Sequence, residues 1–181
     1  MNKIAKNLVF SSLCTAIGVL LPSFFHMFGL SGTIFLPMHL PVLICGFICG
    51  WQYGILCGIL VPLLSSLLTG MPPLFPIAIS MMIELGTYGA LTGLLYKKLH
   101  LFPSLILSML GGRIMNGLAN TLLLGLAGKP YTLNIFISSS FITSLPGIVI
   151  QLIFIPIIIS LFQKSGYMEN KKIKLKHWSE L

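Results

Sequence analysis

The chain is a succession of long apolar runs broken by short stretches of polar residues, proline or glycine. Read by that punctuation, it predicts six helices, over roughly 6–28, 36–50, 52–68, 75–96, 102–127 and 135–162. The second and third are short and joined only by Trp51-Gln52. Nothing is left over for a soluble domain, so the chain reads as a single unit with a basic tail over 166–181.

Against this background the stretch from Gly111 to Asn120 stands out. It places Arg113, Asn116 and Asn120 inside the fifth predicted helix. Uncharged residues extend about a dozen positions on the N-terminal side of Arg113, which sets it ~18 Å along the helix. That is near the middle of a bilayer core ~30 Å thick, where a charge costs at least ~2.5 kcal/mol and usually faces a partner or a cavity.

Composition fits the pattern. Of 181 residues, 56% are hydrophobic and 8% charged, with mean hydropathy +0.99. A soluble domain carries about 25% charged residues, so the fold class is all-α integral membrane protein with six transmembrane helices. Eleven Lys/Arg against three Asp/Glu give a net charge of +8. This charge sits in the tails and one loop, so it reads as membrane topology rather than as a nucleic-acid surface. Lys3 and Lys6, Lys97 and Lys98, and Lys164, Lys171, Lys172, Lys174 and Lys176 all fall on one side of six spans, and only Lys129 on the other. The basic side is the cytoplasmic one, which predicts both termini inside. No small-x-small cleavage site follows the first apolar run, so a cleavable signal is not expected.

Chemistry is sparse. Cys14, Cys45, Cys49 and Cys57 all lie in apolar spans, and Cys45-x3-Cys49 is helical spacing rather than a CxxC; they read as small packing residues. There is no HExxH, no Cys/His cluster and no paired carboxylate, so neither a metal centre nor an enzymatic acid/base pair is supported and no cofactor is expected. No P-loop is present, so nucleotide-driven uptake requires a partner ATPase. Glu84 is the only acid within the spans, about 14 Å in from the outer side, at a depth similar to that of Arg113. Two overlapping readings are open: a structural Glu84–Arg113 pair between helices, and a charge lining a ligand cavity. Arg113, Asn116 and Asn120 share one helix face that climbs to the outer surface, as a site loaded from outside requires; interhelical hydrogen bonding is the alternative. His26 ends the first predicted helix and His39 begins the second on the same outer side, where each caps a cavity, contacts a ligand or is merely solvated. Gln151 lies deep in the sixth predicted helix between Pro146 and Pro156, both expected to kink it. Ser138, Ser139, Ser140, Thr143 and Ser144 give that helix a polar outer half. On the first helix, Ser12-x3-Ala16 and Cys14-x3-Gly18 are small-x3-small pairs that allow close helix approach, within the chain or to another subunit.

Taken together the chain resembles the substrate-binding S components of energy-coupling factor (ECF) vitamin transporters, over nearly its whole length. The local matches are Phe35-Leu-Pro-Met-His-Leu-Pro41, Pro62-Leu-Leu-Ser-Ser66, Leu68-Thr-Gly-Met-Pro-Pro-Leu74, Glu84-Leu-Gly-Thr-Tyr-Gly89 and Gly112-Arg-Ile114. The resemblance implies a binding subunit, not an enzyme, in a bacterial cytoplasmic membrane. Such a subunit captures a vitamin from outside and works with a transmembrane T component and two cytoplasmic ATPases. It implies docking on the T component through a small-residue motif, here Ser12-x3-Ala16. It also implies a ligand site in the outer half, which points to His39, Met71, Glu84, Tyr88, Arg113, Asn116, Asn120 and Ser144. The rival reading is a stand-alone ion-coupled transporter, for which one Glu and one Arg make a thin coupling site. The charge state of the site bears on the ligand: a paired Arg113 favours pyridoxine or a pyrimidine precursor of thiamine, and an unpaired one a carboxylate such as pantothenate.

Overall fold

A computed structural model describes residues 2–29 and 32–166, and among these it contains helices and turns but no strand. Helix α1 runs Lys3–Met27. Helices α2 (Gly32–Phe35) and α3 (His39–Cys49) together form the second apolar span. Helix α4 is Trp51–Thr69, and a π-type turn over Leu74–Ala78 leads into α5, Ile79–Lys98. Helix α6 is Leu101–Leu126. A short helix α7 (Leu133–Ile137) and a π-helical segment (Ser138–Thr143) precede α8, Leu145–Lys164. Six stretches are long and apolar enough to cross a membrane; the shortest, Gly32–Cys49, has 18 residues. At ~1.5 Å per residue that length still spans a hydrocarbon core. The outward faces are apolar too: Leu8, Leu20 and Phe24 on α1 and Leu118 and Leu122 on α6 are exposed, as lipid-facing positions should be.

Three junctions differ from the sequence expectation, each for a backbone reason. The turn between α3 and α4 is Gly50 alone, with φ of 94°, and Trp51 and Gln52 already belong to α4. Only glycine takes that conformation without cost, so the break falls there and not on the bulky pair after it. The second span begins at Gly32, not near 36, which carries His39 well inside the bundle; Leu36, with φ of 52°, turns the chain between α2 and α3. The last expected helix is divided: Ser144, at φ −90° and ψ 7°, separates the π-helical segment from α8. Pro146 stands in the first turn of α8, where its missing N–H is harmless, so it starts a helix instead of kinking one. Pro156 lies inside α8.

The six spans alternate in direction, which puts Lys3, Lys6, Lys97, Lys98 and Lys164 on one side and Lys129 on the other. The lysines at 171, 172, 174 and 176 and most of the basic tail lie outside the described residues.

The densest packing is a glycine seam between antiparallel α4 and α5. Gly50, Gly54 and Gly58 recur every four residues and face Gly93, Gly89 and the Leu85–Gly86 peptide in reverse order. A Cβ on Gly54 would stand 2.4 Å from the Gly89 carbonyl oxygen, and one on Gly58 2.4 Å from that of Leu85. The backbones therefore touch, which small residues at four-residue spacing permit and any side chain forbids. Helix α3 closes on the same region: a Cβ on Gly46 would meet Thr92 Oγ1 at 2.0 Å, while the Thr92 hydroxyl donates to the Tyr88 carbonyl at 2.8 Å. Helices α1, α3, α4 and α5 thus form a tight group, with α6 laid along α5 and α8 packed chiefly on α3.

The seam gives a direct test. Gly89→Ala places a methyl 2.1 Å from the Gly54 carbonyl oxygen, whereas the same change at Gly125 meets nothing within 4 Å. Gly89→Ala should destabilise the protein by about 1–3 kcal/mol or more. Gly125→Ala should be neutral or slightly stabilising, since alanine is the better helix former. Thermal unfolding of the two variants in detergent measures the contrast.

Candidate functional site

The polar residues that hydropathy leaves unexplained converge on one carboxylate. Glu84 lies on α5, five residues before the seam residue Gly89, in contact with α3 and α6, and it is 2% exposed. Tyr88, one turn further along α5, donates its hydroxyl to Glu84 Oε1 at 2.9 Å. Arg113 Nη1 from α6 stands 3.1 Å from the same oxygen. The other carboxylate oxygen, Oε2, accepts from Asn116 Nδ2 at 2.5 Å, and Asn116 Oδ1 in turn accepts from Asn120 Nδ2 at 2.5 Å. Arg113, Asn116 and Asn120 share a face because they stand at i, i+3 and i+7 on a helix.

Helix α3 contributes His39, also buried, with Nε2 3.5 Å from Glu84 Oε1 and its ring 5.3 Å from that of Tyr88. Despite that proximity neither ring nitrogen of His39 makes a hydrogen bond. Because both span 2 and span 4 run the same way, the contacts at His39–Glu84 and at Gly46–Gly89 belong to one continuous register between α3 and α5.

The physics of the cluster is charge cancellation at depth. A lone carboxylate or guanidinium in an apolar bundle is strongly penalised, and pairing with hydrogen bonds to the remaining lone pairs is what makes it tolerable. Glu84 has both, so the cluster combines one negative and one positive group into a near-neutral, polar patch on three helices. Arg113 also lines a groove of about 120 Å³ between α6, the π-helical segment and α8, whose other walls include Met109, Leu110, Phe141, Ile148 and Leu152.

Six of the eight expected ligand residues, His39, Glu84, Tyr88, Arg113, Asn116 and Asn120, are thus neighbours. The other two hydrogen-bond within their own segments. Met71 is exposed in the loop between α4 and the π-type turn, where its carbonyl accepts from Ser65 Oγ at 2.8 Å and Thr69 Oγ1 at 3.1 Å. Ser144 is buried at the head of α8, and its hydroxyl turns back to the Ser140 carbonyl at 2.6 Å. Gln151 on α8, outside the expected ligand set, is buried, and its side-chain amide nitrogen has no hydrogen-bond partner among the described residues. The signal was there, since a lone glutamine in an apolar span is costly unless used.

On α1 the small residues divide between two faces. Cys14 and Gly18 turn inward, and a Cβ on Gly18 would stand 2.7 Å from Val61 Cγ2. Ser12 and Ala16 are exposed, with the Ser12 hydroxyl donating to the Leu8 carbonyl at 2.9 Å. The four cysteines are free and buried; Cys57 Sγ accepts from Thr15 Oγ1 at 3.5 Å, and the Cys49 thiol donates to the Asn7 carbonyl at 3.6 Å.

Breaking the central pair should be costly. Arg113→Ala leaves Glu84 buried without its cation and should destabilise the fold by roughly 3–5 kcal/mol. Adding Glu84→Gln should recover part of that loss, because the stranded charge is gone. A double-mutant cycle on thermal unfolding in detergent checks the sign; strictly additive losses would show that the pair contributes nothing.

Comparison with known families then meets the geometry. The family model of the ECF transporter substrate-specific component matches residues 6–162, nearly the whole described bundle. No curated protein and no solved structure matches the chain. The polar cluster on α3, α5 and α6 is therefore carried by a multi-pass membrane protein that belongs to the substrate-specific components of ECF transporters.

Proposed function

We propose that this substrate-specific subunit captures a small, uncharged, water-soluble vitamin or vitamin precursor from outside the cell and hands it on with a T component and two ATPases. The observation that carries the choice of ligand is the Glu84–Arg113 contact at 3.1 Å. With Arg113 neutralised inside the bundle, an anionic ligand such as pantothenate finds no free cation there. A neutral ring bearing hydroxyl or ring-nitrogen groups, of the pyridoxine or thiamine-pyrimidine type, matches the amide, phenol and imidazole groups of Asn116, Asn120, Tyr88 and His39.

Further support is indirect. Asn116 and Asn120 are half-buried and rise along α6 toward the side that carries only Lys129, while the lysine-rich side is read as cytoplasmic, with both termini there. The exposed pair Ser12 and Ala16 puts two small side chains one turn apart on α1, between the exposed Leu8 and Leu20, a notch that suits close approach of another membrane helix, as docking on a T component needs. The absence of a P-loop from the sequence assigns nucleotide hydrolysis to partners. A bacterial plasma membrane is the setting this reading requires.

Two measurements test it. Mass spectrometry of small molecules released from the purified protein should find an uncharged heteroaromatic vitamin or precursor. Equilibrium binding without nucleotide should be tight for that molecule and at least about a hundredfold weaker for pantothenate, with Asn116→Ala weakening it by about tenfold, equivalent to ~1.4 kcal/mol. Vesicles containing this chain alone should show no uptake. Uptake by the chain alone under a proton or sodium gradient would mean a secondary transporter instead.

A further inference from the structure

Among the described residues, two buried side chains carry polar atoms that make no hydrogen bond: Gln151, at Nε2, and His39, at both ring nitrogens, although its Nε2 lies 3.5 Å from Glu84 Oε1. Each is 1% exposed. Inside a bilayer there is no bulk water to satisfy them, so such atoms are retained only where something else takes the hydrogen bond.

The helix register brings these two residues to one level. Spans 2, 4 and 6 run in the same direction, so α8 lies parallel to α2–α3. The buried stripe of α8 is Gly147, Gln151, Ile155 and Ile159, four residues apart each time, and α8 packs chiefly on α3. Its upper end is fixed by Gly147, where a Cβ would stand 2.8 Å from the Ile34 carbonyl oxygen and 2.9 Å from that of Phe35. Its lower end is fixed by Ile155 and Ile159, which join the same core cluster as Val42, Leu43 and Phe47 of α3. Gln151 is one turn, ~6 Å, below Gly147. His39 follows Phe35 by four residues, across the turn at Leu36, and opens α3. Between the two fixed ends, Gln151 is therefore brought opposite the head of α3, where His39 stands beside Glu84. Ile148 and Leu152, which flank Gln151 on α8, share the groove with Arg113.

We infer that Gln151 and His39 form the specificity-determining edge of the substrate site, with the Gln151 amide donating to an acceptor on the ligand ring and His39 bonding a neighbouring hydroxyl or ring nitrogen. This rests on the function proposed above and adds to it the element that reads the ligand. Glu84 is already occupied by Arg113, Tyr88 and Asn116, so it sets the charge of the site, and the ring nitrogens of His39 and the amide of Gln151 add hydrogen-bonding groups that the cluster itself does not use. The Tyr88 and His39 rings, tilted 55° to one another, supply an aromatic wall for a planar ligand. The ligand class this selects is an uncharged heteroaromatic with an acceptor and a hydroxyl on adjacent positions. An aliphatic chain of the same size would leave the Gln151 donor unmet and is disfavoured.

The test uses the full chain purified in detergent, with pyridoxine and the hydroxymethyl-aminopyrimidine of thiamine as probes. Gln151→Met keeps the length of the side chain and removes the donor; Gln151→Leu does the same with a different shape, so failure of one to fold leaves the other. The expected result is a roughly tenfold to hundredfold loss of affinity for the better probe, with unfolding temperature unchanged or raised in its absence. A merely structural glutamine would move the unfolding temperature and not the affinity. Suppose the unaltered protein binds a probe and Asn116→Ala weakens it, yet both Gln151 variants bind as the unaltered chain does. Then the Gln151 assignment alone is overturned. Suppose instead that the unaltered protein binds neither probe and releases no heteroaromatic molecule. Then the proposed function falls, and this inference with it.

Discussion

One buried carboxylate organises this bundle. Glu84 sits where hydrocarbon would otherwise be, and an ion at that depth is sustained only by groups that reach it from neighbouring helices. Arg113 and Asn116 come from α6, Tyr88 from its own helix, and His39 from α3. Lipid tails give no hydrophobic reason for helices to associate, so packing and polar contacts must do so. The cluster thereby fixes α6 against α5 in both rotation and depth. Rotating α6 by one residue would take Arg113 and Asn116 out of reach together.

What makes such a demanding arrangement possible is the lack of side chains elsewhere. The seam of Gly50, Gly54 and Gly58 against Gly89 and Gly93 brings α4 and α5 into backbone contact and defines how α5 is turned. With α5 seated by its glycine face, Glu84 and Tyr88 present the opposite requirement, a polar edge toward α3 and α6. The two features are complementary: one side of α5 is specified by what is missing, the other by what must be neutralised. Gly46 and Thr92 extend the first, and His39 the second.

Much of this was legible in the sequence, and the reasons for the remainder are physical. Six spans follow from hydropathy, because hydrocarbon thickness and helix rise leave little choice. Depth counting brought Glu84 and Arg113 to the same level, and i, i+3, i+7 spacing put Asn116 and Asn120 on the same face. Junctions were harder. Hydropathy is blind to backbone sign, so the turn was read at Trp51-Gln52 and not at Gly50, and proline was read as a kink at a place where Pro146 begins a helix. Starting the second helix near 36 puts His39 at its outer end; with the span beginning at Gly32, His39 lies deeper in the bundle, at the head of α3 beside Glu84. Met71 and Ser144 follow as ligand residues from family likeness, with no partner named for either, and their polar atoms bond within their own segments. Gln151 was noticed, but no sequence rule joined it to anything, since its relation to α3 depends on the tight packing of Gly147 on Ile34 and Phe35.

The arrangement also has an order in time. His39 is made first, Glu84 next, and Arg113 about 30 residues later, which at ~5–20 residues per second is a delay of roughly one to several seconds. During that interval the most costly side chain in the protein has emerged without its cation. His39 and Tyr88 are the groups of the finished cluster that already exist or follow immediately, so the α3–α5 contact is the one that can shelter Glu84 while the ribosome completes α6. The order of synthesis thus leaves Glu84 with only its α3 and α5 neighbours until α6 is made.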